Sequence, residues 1–191
     1  MKREFMKRQN ALRKLILAAL FLALAFVMPY LTGQIPEVGA MLCPMHIPVL
    51  LCGFFCGWPW GLVVGFVAPL VRSLLTGGFP PMFPTAVCMA LELGTYGLVS
   101  GLMHKLLPQK KPCIYLSLIS AMIAGRLVWG AAMFVCTGIT QSTFSFGAFL
   151  SGAFLNAIPG IIAQIVLVPI LVMLLDRRRV IKTDDQRGIY E

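Results

Sequence analysis

The chain has 191 residues, of which 59% are hydrophobic and only 12% charged. Soluble domains carry about 25% charged residues, so this composition excludes an ordinary water-soluble domain and makes lipid the solvent. The net charge of +9 would suit nucleic acid, but it sits in short segments beside apolar runs, the placement that marks the cytoplasmic side of a membrane and its anionic lipid.

A membrane-crossing helix needs ~20 apolar residues, and six candidate segments follow in chain order. Residues 1–14 form a basic segment, and the first span covers about 15–31. The second, about 45–57 ("MHIPVLLCGFFCG"), is short, and Pro59 in the following "WPW" is expected to break the helix. The third covers about 60–75, the fourth about 84–103 and the fifth about 113–137. The sixth, about 146–175, is long for one span and is expected to kink at Pro159 and Pro169. Residues 176–191 form a basic tail. The pattern predicts an all-α integral membrane protein with one six-helix transmembrane domain, 15–175. "ALA" at 23–25 resembles a signal-peptide cleavage site, but the apolar run continues through Phe26, Val27 and Met28, so this segment is read as a retained span.

Charge tests the count of spans. Fourteen of the 16 Lys and Arg residues lie outside the spans: six before residue 15, three at 105–111 and five after residue 176. With six spans, all fourteen fall on one side, and the opposite loops, 32–44, 76–83 and 138–145, contain none. Both termini are therefore expected in the cytoplasm.

Small residues that let backbones approach hold helices together in lipid. Ala19 and Ala23 make such a pair on the first span, which has no polar residue between Leu15 and Pro29. An alanine stripe on so apolar a helix faces either the bundle or a partner subunit. Gly53, Gly57, Gly61 and Gly65 recur every four residues, Gly97 and Gly101 repeat the spacing, and Ala148/Gly152 and Ala153/Ala157 do so in the sixth span. Internal packing is the plain reading for these. The six cysteines form no CxxC pair and read as small core hydrophobes. No metal site and no cofactor is expected.

Polar groups inside the spans are the candidate site. A charge at the centre of a span costs about 2.5–3.5 kcal/mol on insertion scales, so Arg72, Glu92 and Arg126 need a reason. At ~1.5 Å per residue, Arg72, Glu92, Arg126 and Asn156 all lie in the outer half or near the midplane, and His46 starts the second span at the outer surface. Cys88, Glu92 and Tyr96 share one face at i, i+4, i+8, and Arg126 shares a face with Trp129 at i, i+3. Glu92 can pair with Arg72 or Arg126 but neutralises only one of them. The cation left over would be met by an anionic ligand, because arginine binds carboxylate and phosphate in a bidentate fork. Asn156 serves equally as interhelical glue, His46 as an interfacial residue, and Arg72 could snorkel to the surface. The outer turn "TGGFPPMFPT" and the segment 32–44 are long enough to cap a pocket.

Taken together, the six short spans, the basic ends, the Ala19/Ala23 pair and the run from "MHIPVLLCGFFCGWPWGLVVGF" through "MALELGTYGLVSGL" resemble the substrate-binding S component of energy-coupling factor (ECF) vitamin transporters, over about residues 11–176. The broad family includes folate, pantothenate and cobalamin S components. The resemblance implies an S-component-like bundle in a prokaryotic cytoplasmic membrane that binds a water-soluble vitamin near its outer surface. It further implies docking, through the alanine pair, onto a T component that carries two ATPases. The family's pocket draws on the first outer loop and the fourth to sixth helices, where Glu92, Tyr96, Arg126, Trp129 and Asn156 fall. The chain has no "GxxxxGK" phosphate loop, so ATP hydrolysis is expected from partners and no enzymatic activity from this chain. A stand-alone secondary transporter would want an internal repeat with paired broken helices. A membrane enzyme would want an activated nucleophile or a carboxylate or histidine cluster. A purely structural membrane subunit would not need two buried arginines.

Overall fold

The computed structural model describes residues 2–31, 44–78, 80–108, 110–139 and 158–187. Among them are six α-helices: α1 (Lys2–Leu31), α2 (His46–Cys56), α3 (Trp58–Leu75), α4 (Val87–Leu106), α5 (Lys111–Ile139) and α6 (Ile158–Arg187). A kinked turn, Met82–Ala86, in which Phe83 is extended (φ −124°, ψ 135°), leads into α4. Five helical stretches are long and apolar enough to cross a membrane, and α2 is the shorter apolar helix. Large apolar side chains such as Leu62, Phe66, Ile123, Leu127, Ile162 and Val166 point outward and stay exposed, as expected where the surrounding solvent is hydrocarbon.

The helix α2 is the centre of the bundle, with ten of its eleven residues buried. At ~1.5 Å per residue it rises about 16 Å, half of the ~30 Å hydrocarbon layer. Its far end reaches the exposed pair Trp58 and Pro59, while its first residue, His46, is buried. The helix therefore begins inside the bundle. This corrects the expectation that His46 lies at the outer surface. The break after α2 is also one step earlier than expected: Gly57, with φ of 92°, turns the chain, and Pro59 sits in the first turn of α3. Proline is tolerated there because a first-turn N–H has no helical partner.

The other helices wrap α2. The inward stripe of α1 is Ala18, Phe21 and Ala25, packed on α2 and α3. Its opposite face exposes Ala19, Leu20, Ala23, Leu24 and Val27. The buried stripe of α6 is Gly160, Gln164, Val168 and Val172, and this helix packs on α2 and α5. The expected sixth span began at about 146; residues 140–157 lie outside the described residues, and the helix runs from Ile158 to Arg187 with Pro169 inside it.

The tightest seam joins α2 and α3 to α4. The α3 side is a row of small residues, Gly61, Val64, Gly65, Ala68 and Ser73. The α4 side presents Gly94, Gly97 and Gly101. A Cβ built on Gly61 would stand 2.5 Å from the Gly97 carbonyl oxygen and 2.9 Å from the Gly53 Cα. A Cβ on Gly53 would stand 2.6 Å from the same Gly97 oxygen. Three backbones meet at this node, and only hydrogen fits between them. Gly53, Gly61, Gly65, Gly97 and Gly101 thus serve internal packing, while Gly57 of the same spacing serves the turn.

Gly97→Ala is expected to destabilise the full-length chain in detergent by at least the ~1–3 kcal/mol of an overpacked core, because the obstructing atoms are backbone. Gly138→Ala, whose new Cβ meets nothing within 4 Å, is the matched control and should leave the thermal melt unchanged. Equal melting temperatures for Gly97→Ala and the unaltered chain would contradict the seam.

Candidate functional site

The close approach of α2 to α4 brings polar residues from three helices to one point. Glu92 lies on the inner face of α4 and is 2% exposed. Its Oε1 receives three neighbours. The Arg126 guanidinium of α5 stands 3.1 Å away through Nη1. The Tyr96 hydroxyl, one turn along α4, donates a hydrogen bond of 3.1 Å. His46 Nε2, from the start of α2, approaches to 3.5 Å. The His46 and Tyr96 rings pack at 5.1 Å between centroids with a 59° tilt. Tyr96 in turn is admitted by Gly125 on α5, whose missing side chain leaves room for the phenol ring.

The electrostatics follow from this geometry. A carboxylate or guanidinium alone in such an interior would lose its hydration without return. Paired at 3.1 Å, the two charges cancel, and the tyrosine hydroxyl adds a further donor to the anion. His46 is different. The 3.5 Å approach is longer than the ~2.7–3.2 Å of an ordinary N–H···O bond, and among the described residues neither ring nitrogen makes a hydrogen bond although both are buried. A buried polar group left unsatisfied costs about 1–3 kcal/mol. The centre is therefore balanced in charge but, among the described residues, short of hydrogen bonds at His46.

Arg72 is not part of this cluster. Its Nη1 lies 3.2 Å from Met45 Sδ, and no carboxylate pairs with it among the described residues. The Thr76 hydroxyl donates to its carbonyl oxygen at 2.8 Å, and Ser73 donates to the Pro80 carbonyl at 2.7 Å, which fastens the following turn to α3. Met45 immediately precedes His46, so Arg72 stands beside the cluster toward the 76–86 turn. Of the two possible partners for Glu92, the structure takes Arg126, and Arg72 is left without a carboxylate among the described residues. Trp129 is partly buried one turn beyond Arg126 on α5. Asn156 lies outside the described residues. Ala19 and Ala23 are exposed on the outward face of α1, away from the cluster.

One polar residue was not singled out from the sequence. Gln164 on α6 is 1% exposed and its Nε2 has no hydrogen-bond partner. Its signal was present: it is the sole strongly polar side chain in "IPGIIAQIVLVPILVMLL". The two helices against which α6 packs, α2 and α5, are those that carry His46 and Arg126.

Crossing helices that expose apolar side chains and seal a charged, hydrogen-bonding centre within define a multi-pass cell-membrane protein built around an internal polar site. The family model for the substrate-specific component of ECF transporters matches residues 13–172, and the chain belongs to that family. No curated protein and no solved structure matches it.

The pairing makes a quantitative demand. Arg126→Met should destabilise the detergent-solubilised chain by about 3–5 kcal/mol, since it leaves the Glu92 charge buried alone. Adding Glu92→Gln should recover part of that loss, with a coupling of about 0.5–3 kcal/mol in the double-mutant cycle. Strict additivity in chemical denaturation would show that the two side chains do not interact.

Proposed function

We propose that this chain is the membrane-embedded, high-affinity binding subunit for uptake of a water-soluble vitamin or related micronutrient. Transport is energised by a separate T component and two ATPase subunits. The chain itself binds and carries no chemistry. The observation that supports this most is the sealed centre of His46, Glu92, Tyr96 and Arg126, charge-balanced but with both histidine nitrogens unbonded. Membership of the ECF substrate-specific family supplies the transport setting and the partners.

The roles divide by position. Glu92 and Arg126 act as a fixed donor–acceptor pair rather than as opposite charges awaiting a counter-ion. His46 and Tyr96 complete the seat, Trp129 extends it along α5, and Asn156 is a further candidate ligand contact by its sequence alone. Because Glu92 already offsets Arg126, an acidic group on the ligand is better met by Arg72, which has no carboxylate partner among the described residues. The anionic end of such a ligand lies toward the 76–86 turn, and its uncharged hydrogen-bonding portion lies against His46. With the basic termini in the cytoplasm, that turn is the extracellular entrance. Ala19 and Ala23, exposed on α1, form the face that docks on the T component, since small residues permit close helix approach.

Two experiments test this. Mass spectrometry of the full-length chain purified from rich medium should find a stoichiometric small water-soluble molecule. Isothermal titration with that molecule should show His46→Ala weakening binding by about 2- to 12-fold, the worth of one neutral hydrogen bond at ~0.5–1.5 kcal/mol. A chain that carries nothing and binds no vitamin would overturn the reading. Separately, Ala19→Leu with Ala23→Leu should abolish co-purification with the T component and ATPases while leaving small-molecule binding intact. Retained assembly would remove α1 from the docking face.

A further inference from the structure

Away from the polar centre, a second pair of reactive groups faces across the α4–α5 seam. Cys88, the second residue of α4, and Cys136, three residues before the end of α5, place their sulfurs 3.7 Å apart. Both are thiols. Cys88 is fully buried, and Cys136 is 9% exposed. Cys88 lies one helical turn from Glu92 on the same face of α4, so the pair sits on the rim above the Glu92–Arg126 contact.

The pair differs from the chain's other cysteines. Cys52 and Cys56 lie on one helix and are sealed in the core. Cys113 is at the opposite end of α5 and is partly exposed. Among the described residues, Cys88 and Cys136 combine a short sulfur–sulfur distance between two helices with a residual exposure at Cys136 that Cys88 lacks. A disulfide requires about 2.03–2.05 Å between sulfurs, so the two sulfurs, 3.7 Å apart, must draw closer for the bond to form. With the basic termini inside, this rim lies on the extracellular side, where disulfides persist.

We infer that Cys88 and Cys136 form a site of reversible covalent modification, in which a small-molecule disulfide converts the two thiols into a Cys88–Cys136 disulfide that ties α4 to α5 above the polar centre. The more exposed Cys136, as thiolate, attacks one sulfur of the oxidant and expels the other as a thiol. Cys88, as thiolate, then attacks the Cys136 sulfur of the mixed disulfide and expels the second thiol. Two protein S–H bonds and the oxidant's S–S bond are broken, and one protein S–S bond forms. The oxidant leaves as two thiols, so electrons and protons balance. The cross-link fixes the spacing of the two helices that carry Glu92 and Arg126. The inference stands on the sulfur geometry and does not depend on which ligand the chain binds.

The test uses the full-length chain in detergent and 4,4′-dithiodipyridine as oxidant. The expected result is a mass loss of two hydrogens at this pair and two thiopyridone molecules released per oxidant consumed there. Non-reducing peptide mapping should recover the Cys88 segment joined to the Cys136 segment. Cys88→Ser should instead hold a stable pyridyl mixed disulfide on Cys136. A stable adduct on Cys136 of the unaltered chain would overturn the inference. So would a link from Cys136 to another cysteine, or the survival of both thiols after Cys113 has reacted. The unaltered chain decides the matter even if the variant does not fold.

Discussion

The ion pair between Glu92 and Arg126 is the contact on which the interior of this protein depends. Either charge alone would be expelled from an apolar bundle or would draw water into it. Together, at 3.1 Å, they form a neutral unit that can stay dry. That unit fixes the rotation of α4 against α5, because both side chains must reach the same point. It also fixes the position of Tyr96, whose hydroxyl completes the carboxylate's shell. Among the described residues the His46 ring nitrogens make no hydrogen bond, and on the proposed reading that shortage is what a bound ligand would meet.

The ion pair in turn requires the glycine seam. His46 reaches Glu92 because α2 and α4 approach until Gly53, Gly61 and Gly97 touch through their backbones. In lipid there is no hydrophobic drive for helix association, so close packing of this kind carries the assembly. The absence of side chains at the node therefore sets the distance between the side chains above it. The short α2 belongs to the same design. A full-length helix would have carried its first residue to the surface, whereas this one starts inside and delivers a histidine to the centre.

Much of this was legible in the sequence, and the remainder has identifiable causes. Composition gave the membrane class and the apolar runs gave the number of helices, since both are one-dimensional properties; that the second helix is too short to cross the layer alone was visible in its length. The stripe of Cys88, Glu92 and Tyr96 followed from helical periodicity alone. The choice of Arg126 over Arg72 as Glu92's partner did not, because it depends on how separate helices rotate against each other. The burial of His46 did not follow from its place at the start of a short span, because it depends on the helices packed around that end. The α2–α3 break was assigned to Pro59, when the left-handed Gly57 makes it and the proline only opens the next helix. Gln164 was passed over as part of an apolar run, although a lone amide there is itself a signal. Which arginine would be left over was open in the sequence, and the structure pairs Arg126 with Glu92.

The most direct measurement is an experimental structure of the full-length chain purified with the molecule it retains from rich medium. A ligand seated in the centre is predicted, with a polar atom within hydrogen-bonding distance of a His46 ring nitrogen and the Glu92–Arg126 pair intact. Any acidic group on that ligand should lie on the Arg72 side. A ligand bound outside the α2–α4–α5 centre, or one whose acid displaces Glu92 from Arg126, would contradict the proposed site.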